Sequence, residues 1–493
     1  MANVGRMRNT SQRPDEHRIT RRDFVRSAAL TAGAVGLAGT MGHAQEADPV
    51  AEQGPIRSRF LWTWDHCTTW ALNRAGGHDM GASNDYGRTT ESFIADYSSA
   101  LRWCGKHGIE GIVVWGLLRD RHGGLESVKR LCEVAKESGT KLLAGVGLNA
   151  YGGVYYEGNS PWSLEQHLKA NPELYGIDAK GERMIFDFGF AGQKLCHHAC
   201  PSRPENQEYA AESLRWLMET TDIDGVQMEA GDTGVCQCPT CKARRRHPVS
   251  GFSWEDMALI YAKATEAIRS VRPEATVIVE TYSHPQPHEN PEEAPGFGGG
   301  APEWAGECLA QFPEGVFVQW VCDQYIAPTR AREWTDAGRP PAGPRRHIMR
   351  AHMGTYWHRY RDELAIDWIA EMAGRSATHG FDALSIFGES SPFHAGSELN
   401  YLALADYGSD SNPACELSSF LDRVAAPLLG GPERARRFLE IARLIDHREQ
   451  IPEALADGRR IAADLSGRPA QRWTWLCNYL ASFIYPEPPL GDD

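Results

Sequence analysis

The strongest constraint on the fold of this 493-residue chain is an alternation that runs from Arg59 to Ser391. Short apolar runs are separated by longer amphipathic stretches. "RFLWTWD", "GIVVWG", "KLLAGVGL", "DGVQMEA", "ATVIVETY", "GVFVQWVCD", "RHIMRAHMGTYW" and "DALSIFGESS" read as eight strands. They lack the apolar/polar alternation of a half-exposed sheet, so both of their faces must be covered, as in a parallel sheet. Between them, "TTESFIADYSSALRWCGKHG" has a Thr cap and a Gly stop, and "GLESVKRLCEVAKESG", "RPENQEYAAESLRWLMETTDI" and "DELAIDWIAEMAGRSATHG" carry helical periodicity. Eight strand–helix units predict a (β/α)₈ barrel over residues 55–392, with a doubly wound open sheet as the alternative. "GVGLNA", Gly145 to Ala150, imitates a dinucleotide fingerprint. It is followed by Tyr-Gly-Gly rather than a helix, so it argues little for the open sheet.

The two ends of the chain differ from this middle. Residues 393–493 hold "NYLALADYG", "ACELSSFLDRVAAPLLGG", "PERARRFLEIARLIDHR" and "PAQRWTWLCNYLASFIY", which read as a helical region joined by Gly and Pro. Residues 1–44 hold Arg21 and Arg22, then Asp23-Phe24-Val25, then an Ala/Gly-rich apolar run to Met41, and Gly-His-Ala before Gln45. That pattern resembles a twin-arginine export signal, with cleavage near Gln45. The expected partner is the twin-arginine export machinery, and the expected location is periplasmic or secreted. The apolar run is too short for a stable membrane span, and no other segment approaches one.

The formal charge is −14, and residues 1–44 contribute seven Arg against three acids, leaving the remainder near −18. Such a surface repels nucleic acid and anionic lipid and suits neutral substrates. In a barrel, the groups that follow the strands face the substrate. Here they are Asp65, His66, Trp115, Glu229, Asp232, Glu280, Trp320, Asp323, His352, Trp357 and Glu389, so carboxylates and indoles dominate. Glycoside hydrolysis needs one carboxyl to protonate the leaving oxygen and a second to attack or to activate water. Flat indole faces suit the half-apolar faces of sugar rings. Glu229 is the first candidate for the acid, because an acid ending a buried strand is costly unless it has a use or a partner. Asp323 and then Glu389 are the candidate second carboxylates. Asp65, His66, Trp115, Asp232, Glu280, Trp320, His352 and Trp357 are candidates for holding the sugar.

Of the twelve Cys, five are bunched: Cys196, Cys200, Cys236, Cys238 and Cys241. Cys236, Cys238 and Cys241 have C-x-C-x₂-C spacing and can wrap one structural zinc ion, with Cys200, Cys196, His197, His198 or His247 as fourth ligand. A disulfide and an iron–sulfur cluster are the competing readings, and an oxidising compartment would permit the first.

The segment "CPSRPENQEYAAESLRWLMETTDIDGVQMEAGDTGVCQCPTC" resembles one in secreted bacterial barrel proteins related to α-glucuronidases and β-hexosaminidases. The likeness rests on Cys200, Ser202, Pro204, Glu205 and the three loop cysteines, with Arg203 where Asn is usual. The helical tail is similar too, and the likeness spans roughly Met184 to Glu440. It implies a glycoside-hydrolase-like barrel. The Asp-Glu pair of hexosaminidases is absent, with Glu229 and Asp232 only loosely in its place, which counts against substrate-assisted cleavage. Three functions therefore compete: an exported glycosidase acting on oligo- or polysaccharide, a non-catalytic carbohydrate-binding barrel, and an exported metal or redox protein.

Overall fold

The computed structural model describes residues 56–70, 89–186, 196–230, 234–249, 251–281, 284–287, 300–302, 304–322, 345–355 and 361–484. The proposed export segment, Asp232, Asp323 and Trp357 lie outside these residues. Eight parallel strands close on themselves: β1 (Ser58–Trp64), β2 (Gly111–Trp115), β3 (Lys141–Gly147), β4 (Gly225–Glu229), β5 (Thr276–Glu280), β6 (Phe317–Cys322), β7 (Arg346–Ala351) and β8 (Ala383–Phe387). Each pairs with its sequence neighbours, and β1 seals the ring by pairing with both β2 and β8. The fold is thus a (β/α)₈ barrel, and the open-sheet alternative is excluded.

Strand periodicity of two divides the apolar residues into two layers. Phe60, Trp62, Val113, Trp115, Ile278 and Phe387 share one cluster inside the barrel. Leu61, Val114, Val226, Met228, Val277 and Ile386 face outward and pack under the helices. This two-sided burial is why the strands read as continuous apolar runs. The helix Thr90–His107 begins with a capping box between Thr89 and Ser92 and stops at Gly108, whose φ of 76° is left-handed. The helices Gly124–Ser138, Pro204–Thr220, Trp254–Val271 and Ile366–Thr378 also cover the barrel. Among the described residues, no helix is long and apolar enough to cross a membrane.

After β8 the chain is helical: Ala395–Asp406, Pro432–Ala442, Ile451–Ala463 and Gly467–Ala481 are the longer elements. Trp473 and Trp475 are fully buried there. Polar contacts tie this region to the barrel. Arg59 on β1 donates from Nε to the Leu404 carbonyl at 2.8 Å and from Nη2 to the Tyr407 carbonyl at 2.9 Å. Within the helices, Arg472 grips Glu398 through two hydrogen bonds of 2.6 and 2.7 Å, both side chains being buried.

Candidate active site and cysteine cluster

The parity that sends Val226 and Met228 outward sends Gln227 and Glu229 into the barrel. Met228 stands opposite Val279 in the β4–β5 register, so the next residues, Glu229 and Glu280, are neighbours at the carboxyl end of the strands. Both are buried. On β6 and β7 the same parity brings in Gln319 and Arg350. Glu280 Oε2 accepts from Gln319 Nε2 at 2.5 Å and lies 3.2 Å from Arg350 Nη2. The Arg350 guanidinium carbon also lies 5.3 Å from the Trp62 ring centroid.

Two acids side by side in a dry site cannot both ionise cheaply. Burial, and then the charge of Glu280, push Glu229 up to about 8, against the opposing pulls of Arg350 and Gln227. Burial raises Glu280 as well, with Arg350 and Gln319 pulling the other way. Because Arg350 and Gln319 contact Glu280 directly, Glu280 is the member of the pair that takes the charge, and Glu229 keeps the proton. The two titrate as a unit.

Aromatic rings floor this end of the barrel. Trp115 lies 5.8 Å from Trp62 and 5.3 Å from Trp64, centroid to centroid, and Tyr151 lies 5.7 Å from Trp64. Gly145 makes room for Trp115, since a Cβ there would stand 2.5 Å from the indole. Tyr151 takes a left-handed φ of 52° and donates its N–H to Cys196 Sγ at 3.1 Å.

The other candidates divide. Asp65 is locked to Arg119 at 2.8 Å, with His66 and His122 each 3.4 Å away. Burial alone would raise its pKa, but the Arg119 charge and the two imidazoles hold it well below the usual carboxylate range. Glu389 is buried and accepts the Trp64 N–H at 3.3 Å, with the Arg361 cation nearby. His352 is half-buried beside Phe387, with ring centroids 5.2 Å apart. Trp320 sits apart from the mouth: it faces outward, 5.8 Å from Trp254, and its indole N–H lies 3.1 Å from His347 Nδ1. Strand parity explains this, since Gln319 points inward and its neighbour must point away. Gln227, Gln319 and Arg350 were not singled out from the sequence. They sit inside apolar strands rather than after them, and a polar residue at every second position counted back from Glu229 was the available signal.

Cys200, which precedes β4 in the chain, and Cys236, Cys238 and Cys241, which follow it, gather so that all four sulfurs lie within 4.8 Å of one another. Each is a free thiol. Cys200 Sγ lies 3.8 Å from Cys238 Sγ and 3.7 Å from Cys241 Sγ. A tetrahedral ion with metal–sulfur bonds of about 2.3 Å would space its sulfurs by about 3.8 Å, so the arrangement could hold a metal ion. Donors surround it: Ile177 N–H reaches Cys236 at 3.3 Å, Arg244 reaches Cys241 at 3.6 Å, and Ser202 Oγ lies 2.9 Å from Cys241. Such N–H and O–H contacts stabilise thiolate charge. Of the possible fourth ligands, Cys200 is the one in place. Cys196 contacts Tyr151 instead, His197 Nδ1 lies 2.6 Å from the Tyr175 hydroxyl, and neither His198 nor His247 joins the four sulfurs.

No sequence profile of a known protein family matches the chain, and no curated protein matches it. Among solved structures, it is similar to a glycoside hydrolase family 138 enzyme targeting pectin rhamnogalacturonan II, at 11% identity and a TM-score of 0.49. That match covers 88% of this chain and 57% of the other, so the chain spans little more than half of that protein. It is also similar to a glycoside hydrolase family 20 β-N-acetylglucosaminidase, at 12% identity and a TM-score of 0.42, covering 78% of this chain and 76% of that one. A third likeness is to a maltogenic α-amylase from Thermotoga neapolitana, at 12% identity and a TM-score of 0.40, covering 73% and 78%. None reaches a TM-score of 0.5, and the case for the chemistry of this chain rests on its own residues.

Proposed function

We propose that this chain is a glycoside hydrolase in which Glu229 donates the proton to the leaving oxygen and Glu280 is the anionic partner. The observation that carries the proposal is the pair itself: two buried carboxyls abreast on neighbouring strands, one holding a proton near neutral pH and the other braced by Arg350. A barrel that only bound sugar would have little use for a carboxyl kept protonated beside a charged one. Neighbouring strands lie about 4.8 Å apart, which favours the short carboxyl separation of a retaining mechanism, about 5 to 5.5 Å, over the wider inverting one. In that scheme Glu280 attacks the anomeric carbon while Glu229 protonates the departing oxygen. Glu229, now ionised, then takes a proton from the water that releases the sugar from Glu280.

The test uses purified protein and a panel of aryl glycosides and oligosaccharides. Glu280→Gln should abolish turnover of all of them. Glu229→Gln should abolish cleavage of oligosaccharides but spare much of the activity on activated aryl leaving groups, which need little protonation. Oligosaccharide cleavage by Glu229→Gln at the wild-type rate would refute the assignment.

We also infer that the four cysteines hold a structural zinc. Four thiolates leave no open coordination position, which fits a stabilising role and not a catalytic one. Export through the twin-arginine route, ending in the periplasm or outside the cell, is part of the same reading and rests on Arg21 and Arg22. Cell fractionation of the Arg21→Lys, Arg22→Lys double variant should find the protein retained in the cytoplasm; normal export of that variant would rule the route out.

A further inference from the structure

Gln227 lies in the barrel interior one strand repeat below Glu229, and its contacts fix what its amide can do. Its Oε1 lies 2.7 Å from Trp115 Nε1 and 3.2 Å from Trp62 Nε1. An indole nitrogen only donates, so the atom facing both indoles must be the amide oxygen. The amide nitrogen is therefore turned the other way, and it lies 3.2 Å from Glu229 Oε1. Gln227 and Trp115 are fully buried, and Trp62 nearly so, which leaves water little part in setting this orientation.

We propose that Gln227 is a positioning residue, clamped by the indoles of Trp62 and Trp115, which designates Oε1 of Glu229 as the accepting oxygen and Oε2 as the one that carries the proton. A carboxylic acid accepts through its carbonyl oxygen and donates through its hydroxyl. A fixed N–H donor at Oε1 thus makes that oxygen the carbonyl and leaves the proton on Oε2. Across the site, Gln319 and Arg350 both engage Oε2 of Glu280, so each acid of the pair has one oxygen fixed by the barrel. The buried indoles thus act through their N–H groups, orienting an amide inside the barrel wall. This inference rests on the proposed role of Glu229 as acid, but the arrangement can be tested without any substrate.

The test is an infrared titration of the protonated carboxyl C=O stretch, read in the full-length protein without ligand. The band that belongs to Glu229 is the one missing from Glu229→Gln. Among the described residues, the charged or titratable groups facing Glu229 are Glu280, Arg350 and Tyr261, and none of them is altered in the test variants. In Gln227→Met the Glu229 band should move to higher frequency, because its carbonyl has lost a donor. Its midpoint should rise by about one pH unit, the worth of one hydrogen bond to a charged group. Trp115→Phe keeps a ring in place but releases one side of the clamp, and it should move both quantities in the same direction by less. It also serves if Gln227→Met does not fold. A folded Gln227→Met, or failing that a folded Trp115→Phe, with the wild-type frequency and midpoint would overturn the proposal. Loss of the glycosidase reading would show up separately, as an intact band response in a protein with no hydrolytic activity.

Discussion

A proton held on Glu229 at neutral pH should burden the folded state, and replacing that residue should reveal by how much. Glu229 is raised from an ordinary value of 4.5 to about 8, first by burial and then by Glu280. Its folded-state pKa therefore lies above its unfolded one. The contribution of this one group to stability is therefore full below about pH 4.5 and is lost as pH climbs towards 8, by about 1.4 kcal/mol per pH unit. Glu229→Gln keeps the shape of the protonated acid and has nothing to ionise. Relative to the wild type it should gain nothing at pH 4, about 3 kcal/mol at pH 7, and on the order of 5 kcal/mol above pH 8. Every other titrating group is common to both proteins, so the difference isolates the pair. Urea unfolding of the two proteins at pH 4.5, 7 and 9 gives the comparison. The reasoning fails if the two stabilities run parallel across that range, or if the variant is the weaker protein at pH 9.

Removing the cysteine cluster should act on stability before it acts on chemistry. Cys200→Ser should lower bound zinc from about one ion per chain and lower the melting temperature, with turnover at low temperature little changed; elemental analysis and calorimetry check both. Breaking the buried pair in the helical region with Arg472→Met should cost about 3 kcal/mol, because Glu398 loses both of its close hydrogen bonds and keeps only Arg468, 3.7 Å away. Adding Glu398→Met should recover much of that loss, as urea midpoints of the single and double variants would show. Gly145→Ala forces a Cβ against the Trp115 ring and should alter both the near-UV circular dichroism of the aromatic floor and the stability.

Much of the barrel was legible because double-sided burial leaves a coarse mark. Eight apolar runs, with caps such as Thr89 and stops such as Gly108, suffice to order the strands and helices. Glu229 was legible for the same reason: a carboxyl that ends a run of Val and Met has no packing explanation. What stayed hidden depends on strand parity and on pairing across the sheet. Trp320 lies inside β6, two residues short of its end, and one step of the pleat turns it towards Trp254. Glu280 was visible as a residue near the sugar. Its place beside Glu229 depends on the β4–β5 register, which no local pattern encodes. Likewise, the spacing of Cys236, Cys238 and Cys241 announced a cluster. Only the folded chain selects Cys200 over Cys196 as the fourth sulfur, by turning one towards the loop and the other towards Tyr151.

The grip of Arg59 on the carbonyls of Leu404 and Tyr407 has a consequence for how the chain comes into being. A ribosome delivers β1 first with the nearby Ile56 carbonyl, but the other two carbonyls that accept from the Arg59 guanidinium lie 345 and 348 residues further on. At about 5 to 20 residues per second, that is a wait of roughly 20 to 70 s. During that time the first strand also lacks its β8 neighbour, and its Phe and Trp side chains have no enclosed space to enter. The nascent chain must therefore be shielded rather than folded piece by piece. A fragment ending at residue 392 would lack those acceptors and the helices that carry them, so barrel and helical region should behave as one cooperative unit that commits to its shape only after the residues beyond β8 have been made.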